Sequence, residues 1–161
     1  MPNRRGFTLV ELLIIIGIIG ILFAVILIAV DPDKRFDESR DAVRRQDVRD
    51  ILEAIVEYTT DNRGNFPSNI DNVPTTIQIL GSNTNGCSSV TTCAGYLPTL
   101  VTQACANLSG SLVETYLASI PTDPTTGTDG NTRYYIDKTS GNRVLVGSCD
   151  PERVTSISVK R

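Results

Sequence analysis

The sequence predicts an α+β chain: a long N-terminal helix, membrane-spanning in its first half and amphipathic in its second, packed against a small antiparallel sheet of about three strands. Three observations predict it. Leu12 to Val30 carries no charge and no proline, an apolar run of about 19 residues that is long enough to cross a bilayer as a helix. From Phe36 to Thr60 apolar residues recur at helical spacing. Beyond Arg133, short strand-like runs alternate with turn residues.

The apolar run organises the rest. Arg4 and Arg5 stand just ahead of it, and positive charge flanking a first hydrophobic segment holds that end on the cytoplasmic side, so the chain should enter the membrane N-terminus in. Glu11 does not suit a plain anchor. An ionised carboxylate at mid-helix in hydrocarbon costs roughly 2.5 to 3.5 kcal/mol even on mild insertion scales. It is either a side chain snorkelling to the headgroups or a group with a partner. A cut between Gly6 and Phe7 would expose an α-amino group at the membrane surface, cationic near neutral pH. In a bundle of such helices the amine of one chain reaches the carboxylate of the next, and the buried charge becomes an assembly signal.

The stretch R-R-G-F-T-L-V-E-L-L, Arg4 to Leu13, resembles the class III signal of type IV pilins and pseudopilins. In that family a short basic leader ends in Gly and is cut by a prepilin peptidase, and the exposed Phe is N-methylated. The resemblance implies cleavage between Gly6 and Phe7, N-methylation of Phe7 and an assembly role for Glu11. It implies a filament subunit whose hydrophobic helices pack in a central bundle. An ordinary secretory signal would be cut after the apolar run, and no A-x-A site stands between Ala24 and Asp33. A signal anchor that is never cut would leave Glu11 without its amine.

The expected organisation is a basic leader over 1–6, a membrane and filament-core helix over 7–30, and an extracytoplasmic head over 31–161 that includes an amphipathic helix at 36–61. Asp31-Pro32 interrupts or restarts the helix, with Asp31 as a cap and Pro32 in the first turn. Val48, Ile51, Leu52, Ile55 and Thr59 form the apolar stripe. Arg44, Asp47, Asp50, Glu53 and Glu57 are placed on other faces, mostly solvated, and Asp41 to Arg45 is an i,i+4 pair of favourable order. Gly64 and Pro67 stop the helix. The segment ending in Y-T-T-D-N-R-G-N-F-P also resembles the pilins, more loosely.

Ser68 to Gly110 is a polar connector holding three of the four cysteines, with short helical pieces expected at Pro98 to Ala106 and Leu112 to Leu117. Cys87, Cys93, Cys105 and Cys149 outside a membrane read as two disulfides of open connectivity. Ile120-Pro121-Thr122-Asp123-Pro124 followed by Tyr134-Tyr135 is similar to the start of the sheet in pseudopilin heads. Strands are expected over Arg133 to Asp137, Asn142 to Gly147 and Val154 to Val159, with a hairpin turn at Thr139 to Asn142.

Net charge is −3, and loss of Arg4 and Arg5 takes it two units lower, to −5, which argues against a general nucleic-acid binder. With no histidine there is no Ser-His or Cys-His pair and no His ligand for zinc, so the reading is not an enzyme. The resemblance to the major pseudopilins of type II secretion implies a calcium site in the loop among these strands. Asp123, Asp129, Asp137 and Asp150 offer oxygens, but their spacing matches no calcium loop, and turn-forming aspartates are the plainer reading, so no cofactor is assigned. The chain is thus read as a prepilin of a type IV pilus or a secretion pseudopilus. Its partners are copies of itself, other pilins, a prepilin peptidase, the assembly machinery and the cytoplasmic membrane, before an extracellular or periplasmic filament. The alternative is an uncut, membrane-anchored extracellular binding or adhesion module.

Overall fold

A computed structural model describes residues 6–74, 76–85, 87, 93, 100–101 and 105–161. The flanking pair Arg4 and Arg5 lies outside the described residues. The chain forms two compact units, Met1–Phe36 and Asp37–Arg161. In the first, α1 (Leu9–Val30) is unbroken through Gly17 and Gly20. It starts two residues after Phe7 because Thr8 is its N-cap, extended at φ −83° and ψ 153°. Its 22 residues extend about 33 Å at 1.5 Å per residue, enough for a hydrocarbon core of about 30 Å. Leu9–Ala29 has a mean hydropathy of 3.4, and its large apolar side chains are exposed all round the helix. A surface of that kind needs lipid or other helices as cover.

Asp31 ends α1 in the left-handed region at φ 44°, and α2 (Pro32–Asp61) follows directly. Proline at the first helical position has no N–H to satisfy there. The amphipathic helix therefore begins four residues before Phe36. It ends in a left-handed turn, Arg63 at φ 57° and Gly64 at φ 88°, with the Gly64 N–H donating to the Thr59 carbonyl at 2.8 Å.

From Asp37 onward the second unit is a sheet on a helix. Strands β1 (Thr76–Ile79), β2 (Leu100–Val101), β3 (Tyr134–Lys138), β4 (Val144–Ser148) and β5 (Ile157–Lys160) form one sheet in the order β2-β1-β3-β4-β5. Among the described residues, β1, β3, β4 and β5 are joined antiparallel, and β1 and β2 pair in parallel. The expected three strands are β3, β4 and β5. Two more come from the supposed connector: β1 pairs Gln78 with Ile136, and β2 stands where part of the Pro98 to Ala106 helix was expected. Residues 98–99 and 102–104 of that piece lie outside the described residues. The second expected helical piece is displaced, since α3 (Ser109–Leu112) ends where it was to begin.

Alternation along β3 divides the core. Tyr134 and Ile136 face α2, where Val48, Ile51, Leu52, Ala54 and Ile55 pack with Val144, Val146 and Ile157. Each buried Val, Leu or Ile among them contributes roughly 1.5 to 3 kcal/mol on leaving water. Tyr135 faces the other way, against Ile77, Ile79 and the cysteines. Burial pushes the Tyr135 hydroxyl up to about 12. Its register partner is Gly147, where a Cβ would run into the Tyr135 ring. Disulfides Cys87–Cys105 and Cys93–Cys149 close this second face over sequence separations of 18 and 56. In the chain-entropy account the longer loop constrains the unfolded chain by about 4 kcal/mol and the shorter by about 3.

Candidate functional site

The N-terminal segment carries the first site. Gly6, Phe7 and Thr8 are non-helical, Phe7 is exposed, and among the described residues nothing lies within 4 Å of a Cβ built on Gly6. The Gly6–Phe7 bond therefore lies in non-helical chain, the form in which peptidases accept substrates. At the helix start Glu11 Oε2 accepts from the Thr8 N–H and the Thr8 hydroxyl, both at 2.9 Å. The Glu11 N–H in turn donates to Thr8 Oγ1 at 3.2 Å. This reciprocal pair is a capping box, and it gives Glu11 a partner within its own chain. The reading of Glu11 as a charge awaiting an amine missed it, although the Thr8-Leu9-Val10-Glu11 spacing is its signature.

The second site is a buried charge centre built on Arg44. Its guanidinium is fully buried and donates from Nε to Asp123 Oδ2 at 2.6 Å and from Nη2 to Asp123 Oδ1 at 3.1 Å. It also reaches Asp41 Oδ1 at 3.0 Å, Thr125 Oγ1 at 2.9 Å and Glu152 Oε1 at 3.4 Å. Asp41 accepts the backbone N–H groups of Glu152 and Arg153 at 3.0 and 2.8 Å. One arginine of α2 thereby holds the Asp123 turn and the Pro151–Arg153 segment. Beside it Arg133 grips Asp150 through two bonds of 2.6 Å, and Tyr134 donates to Asp47 at 2.6 Å.

These positions correct the charge assignments made from sequence. Arg44 belongs to the buried stripe, and Asp41 pairs with Arg44 at i,i+3 rather than with the exposed Arg45. The signal was present: Arg44, Val48, Ile51 and Ile55 follow helical spacing, and only the charge of Arg44 kept it from being counted.

The aspartates weighed for calcium are placed differently. Asp123 has both oxygens engaged by Arg44, Thr125 and Thr126, Asp129 is in an exposed turn, and Asp137 is buried on β3. Among the described residues no group of three or more His, Cys, Asp or Glu side chains is placed to hold a metal ion. Asp123 does not fit calcium here, because the cation facing it is the Arg44 guanidinium.

Burial alone would raise the Asp123 carboxyl, but hydrogen bonds from Arg44 and from Thr125 outweigh it and hold the group well below the usual carboxylate range. Asp41 is lowered in the same way, with burial overcome by the Glu152 and Arg153 N–H groups. Both groups bind protons more weakly folded than unfolded. Their stabilisation is therefore complete above about pH 4, the ordinary aspartate value, and is lost as pH falls through their folded values. Asp47, raised by burial, has the opposite sign and offsets part of this. The melting midpoint of the head is expected to hold from pH 7 to 5 and to drop below pH 4. Circular dichroism melts that stay flat down to pH 2 would contradict that.

Among known proteins, the family model described as prokaryotic N-terminal methylation motif matches residues 1–27. No curated protein and no solved structure matches the chain. The match spans Gly6, Phe7 and Glu11 and most of α1. Residues 1–27 thus carry the prokaryotic N-terminal methylation motif.

Proposed function

We propose that this chain is a prepilin. A prepilin peptidase cuts it between Gly6 and Phe7, Phe7 is N-methylated, and the mature subunit polymerises through α1 into a type IV pilus or a secretion-type pseudopilus. The observation that carries the reading is the methylation motif running directly into a helix whose apolar surface is bare on every side. Such a helix is suited first to lipid and then to a bundle of its own kind. In the membrane Arg4 and Arg5 hold the N-terminus in the cytoplasm, and the disulfide-closed head stands outside, where thiols oxidise. Its work is structural, with other pilins and the assembly machinery as partners.

Mass spectrometry of the N-terminus tests this. The mature chain is expected to begin at methylated Phe7, and intact Met1 in cells with an active prepilin peptidase would favour the anchored binding module. Gly6→Val puts a branched side chain before the cut and is expected to leave only precursor in the membrane. Normal filaments from that variant would refute the assigned cut.

A further inference from the structure

The exposed side of α2 carries a charge pattern that the fold does not use. Arg45, Arg49, Glu53, Glu57 and Asp61 follow one another at intervals of four residues, and all five are exposed. Residues at that spacing form one ridge of a helix, inclined about 26° to its axis. The ridge reads two positive charges, then three negative. Arg45, Arg49, Glu53 and Glu57 have no ion-pair or hydrogen-bond partner among the described residues, while Asp61 accepts the Tyr116 hydroxyl at 3.0 Å. Within one helix an arginine ahead of a glutamate is the poorer order for pairing.

The surroundings keep the two signs apart. Arg45 and Arg49 flank a hollow shared with Ser156 to Val159 at the β5 edge, lined by no acidic group among the described residues. Glu57 and Asp61 flank a second hollow with Thr60, Thr115 and Tyr116, lined by no cation among the described residues.

We infer that this ridge is the contact between the heads of successive subunits, the Arg45 and Arg49 end of one copy seated on the Glu53 and Glu57 end of the next. A second copy is the fitting partner because the two arginines match the two unpartnered glutamates in charge number and in spacing. The carboxylates that remain unpartnered set the register: Arg45 to Glu53 and Arg49 to Glu57 are both steps of eight residues, about 12 Å along the helix. The two contacting patches are different, so the contact does not close on itself and each copy leaves a free end for another. Exposed ion pairs add little affinity singly, but like charges forced together repel, which makes the ridge a device for register and partner choice.

This inference rests on the filament-subunit reading, and charge reversal in the full chain tests the two separately. Arg45→Glu with Arg49→Glu is expected to lower filament yield at least about tenfold, as is Glu53→Arg with Glu57→Arg, because each sets like charges face to face. The four changes together are expected to restore yield to within about threefold of wild type, since complementarity returns with its signs exchanged. N-terminal mass spectrometry and the head's melting midpoint establish that each variant is processed and folded. Wild-type yields from both double variants would overturn the ridge contact and leave the filament reading intact. A fourfold variant no better than the doubles would also overturn it. A cut and methylated wild-type chain that forms no filaments would overturn both.

Discussion

Replacing Glu11 by Val is expected to leave the chain in the membrane with a folded head and to reduce filament formation by at least about a hundredfold. Stranding one charge of a buried pair costs on the order of 3 to 5 kcal/mol, and in the proposed bundle the stranded charge would be the amine of the neighbouring Phe7. Insertion itself should improve, because Val suits hydrocarbon better than a carboxylate does. Glu11 also closes the capping box on Thr8, so its loss frays the first turn as well. Glu11→Gln separates the two roles. Glutamine serves in a capping box but carries no charge, so pairing predicts that Gln fails as Val does, whereas capping alone predicts near-normal assembly. Filament yield from sheared cells, compared with mature subunit in the membrane, reads the difference. Wild-type yield from Glu11→Gln would end the pairing account.

Replacing Arg44 by Met is expected to destabilise the head by about 3 to 5 kcal/mol, a large share of the 5 to 15 kcal/mol typical of a folded domain. The loss comes less from the arginine than from what it leaves behind. Asp41 and Asp123 are almost fully buried, and without the guanidinium two carboxylates remain in a poor environment for charge. Adding Asp123→Asn removes one of those charges while keeping a side-chain oxygen for the Thr125 and Thr126 N–H groups, and should recover about half of the loss. Denaturant titration of the detergent-solubilised chain, followed by the near-UV tyrosine signal, reports on the head because all five tyrosines lie at residue 58 or beyond. An Arg44→Met chain within about 1 kcal/mol of wild type would mean that water reaches the centre and screens it.

The sequence by itself determined the features that depend on neighbours along the chain. An uninterrupted apolar run makes α1, Asp31-Pro32 divides it from α2, Gly64 ends α2, and the Thr139 to Asn142 turn closes the β3–β4 hairpin with Asn142 at φ 57°. The Thr8-to-Glu11 capping box was equally local, four adjacent residues whose spacing alone encodes the contact. Tertiary structure decided what depends on distant partners. Thr-Ile-Gln-Ile at 76–79 is short and half polar, and it becomes a buried strand because β3, more than fifty residues on, supplies its ladder and Gln78 bonds back to Asn69 and Asp71. Four cysteines allow three pairings that no spacing rule separates, and only the folded chain brings Cys87 to Cys105 and Cys93 to Cys149. Arg44 is the sharpest case. A charge on an apolar stripe looks like an error of periodicity until Asp123, 79 residues away, arrives to neutralise it, because desolvating a guanidinium is tolerable only once its partner is in place.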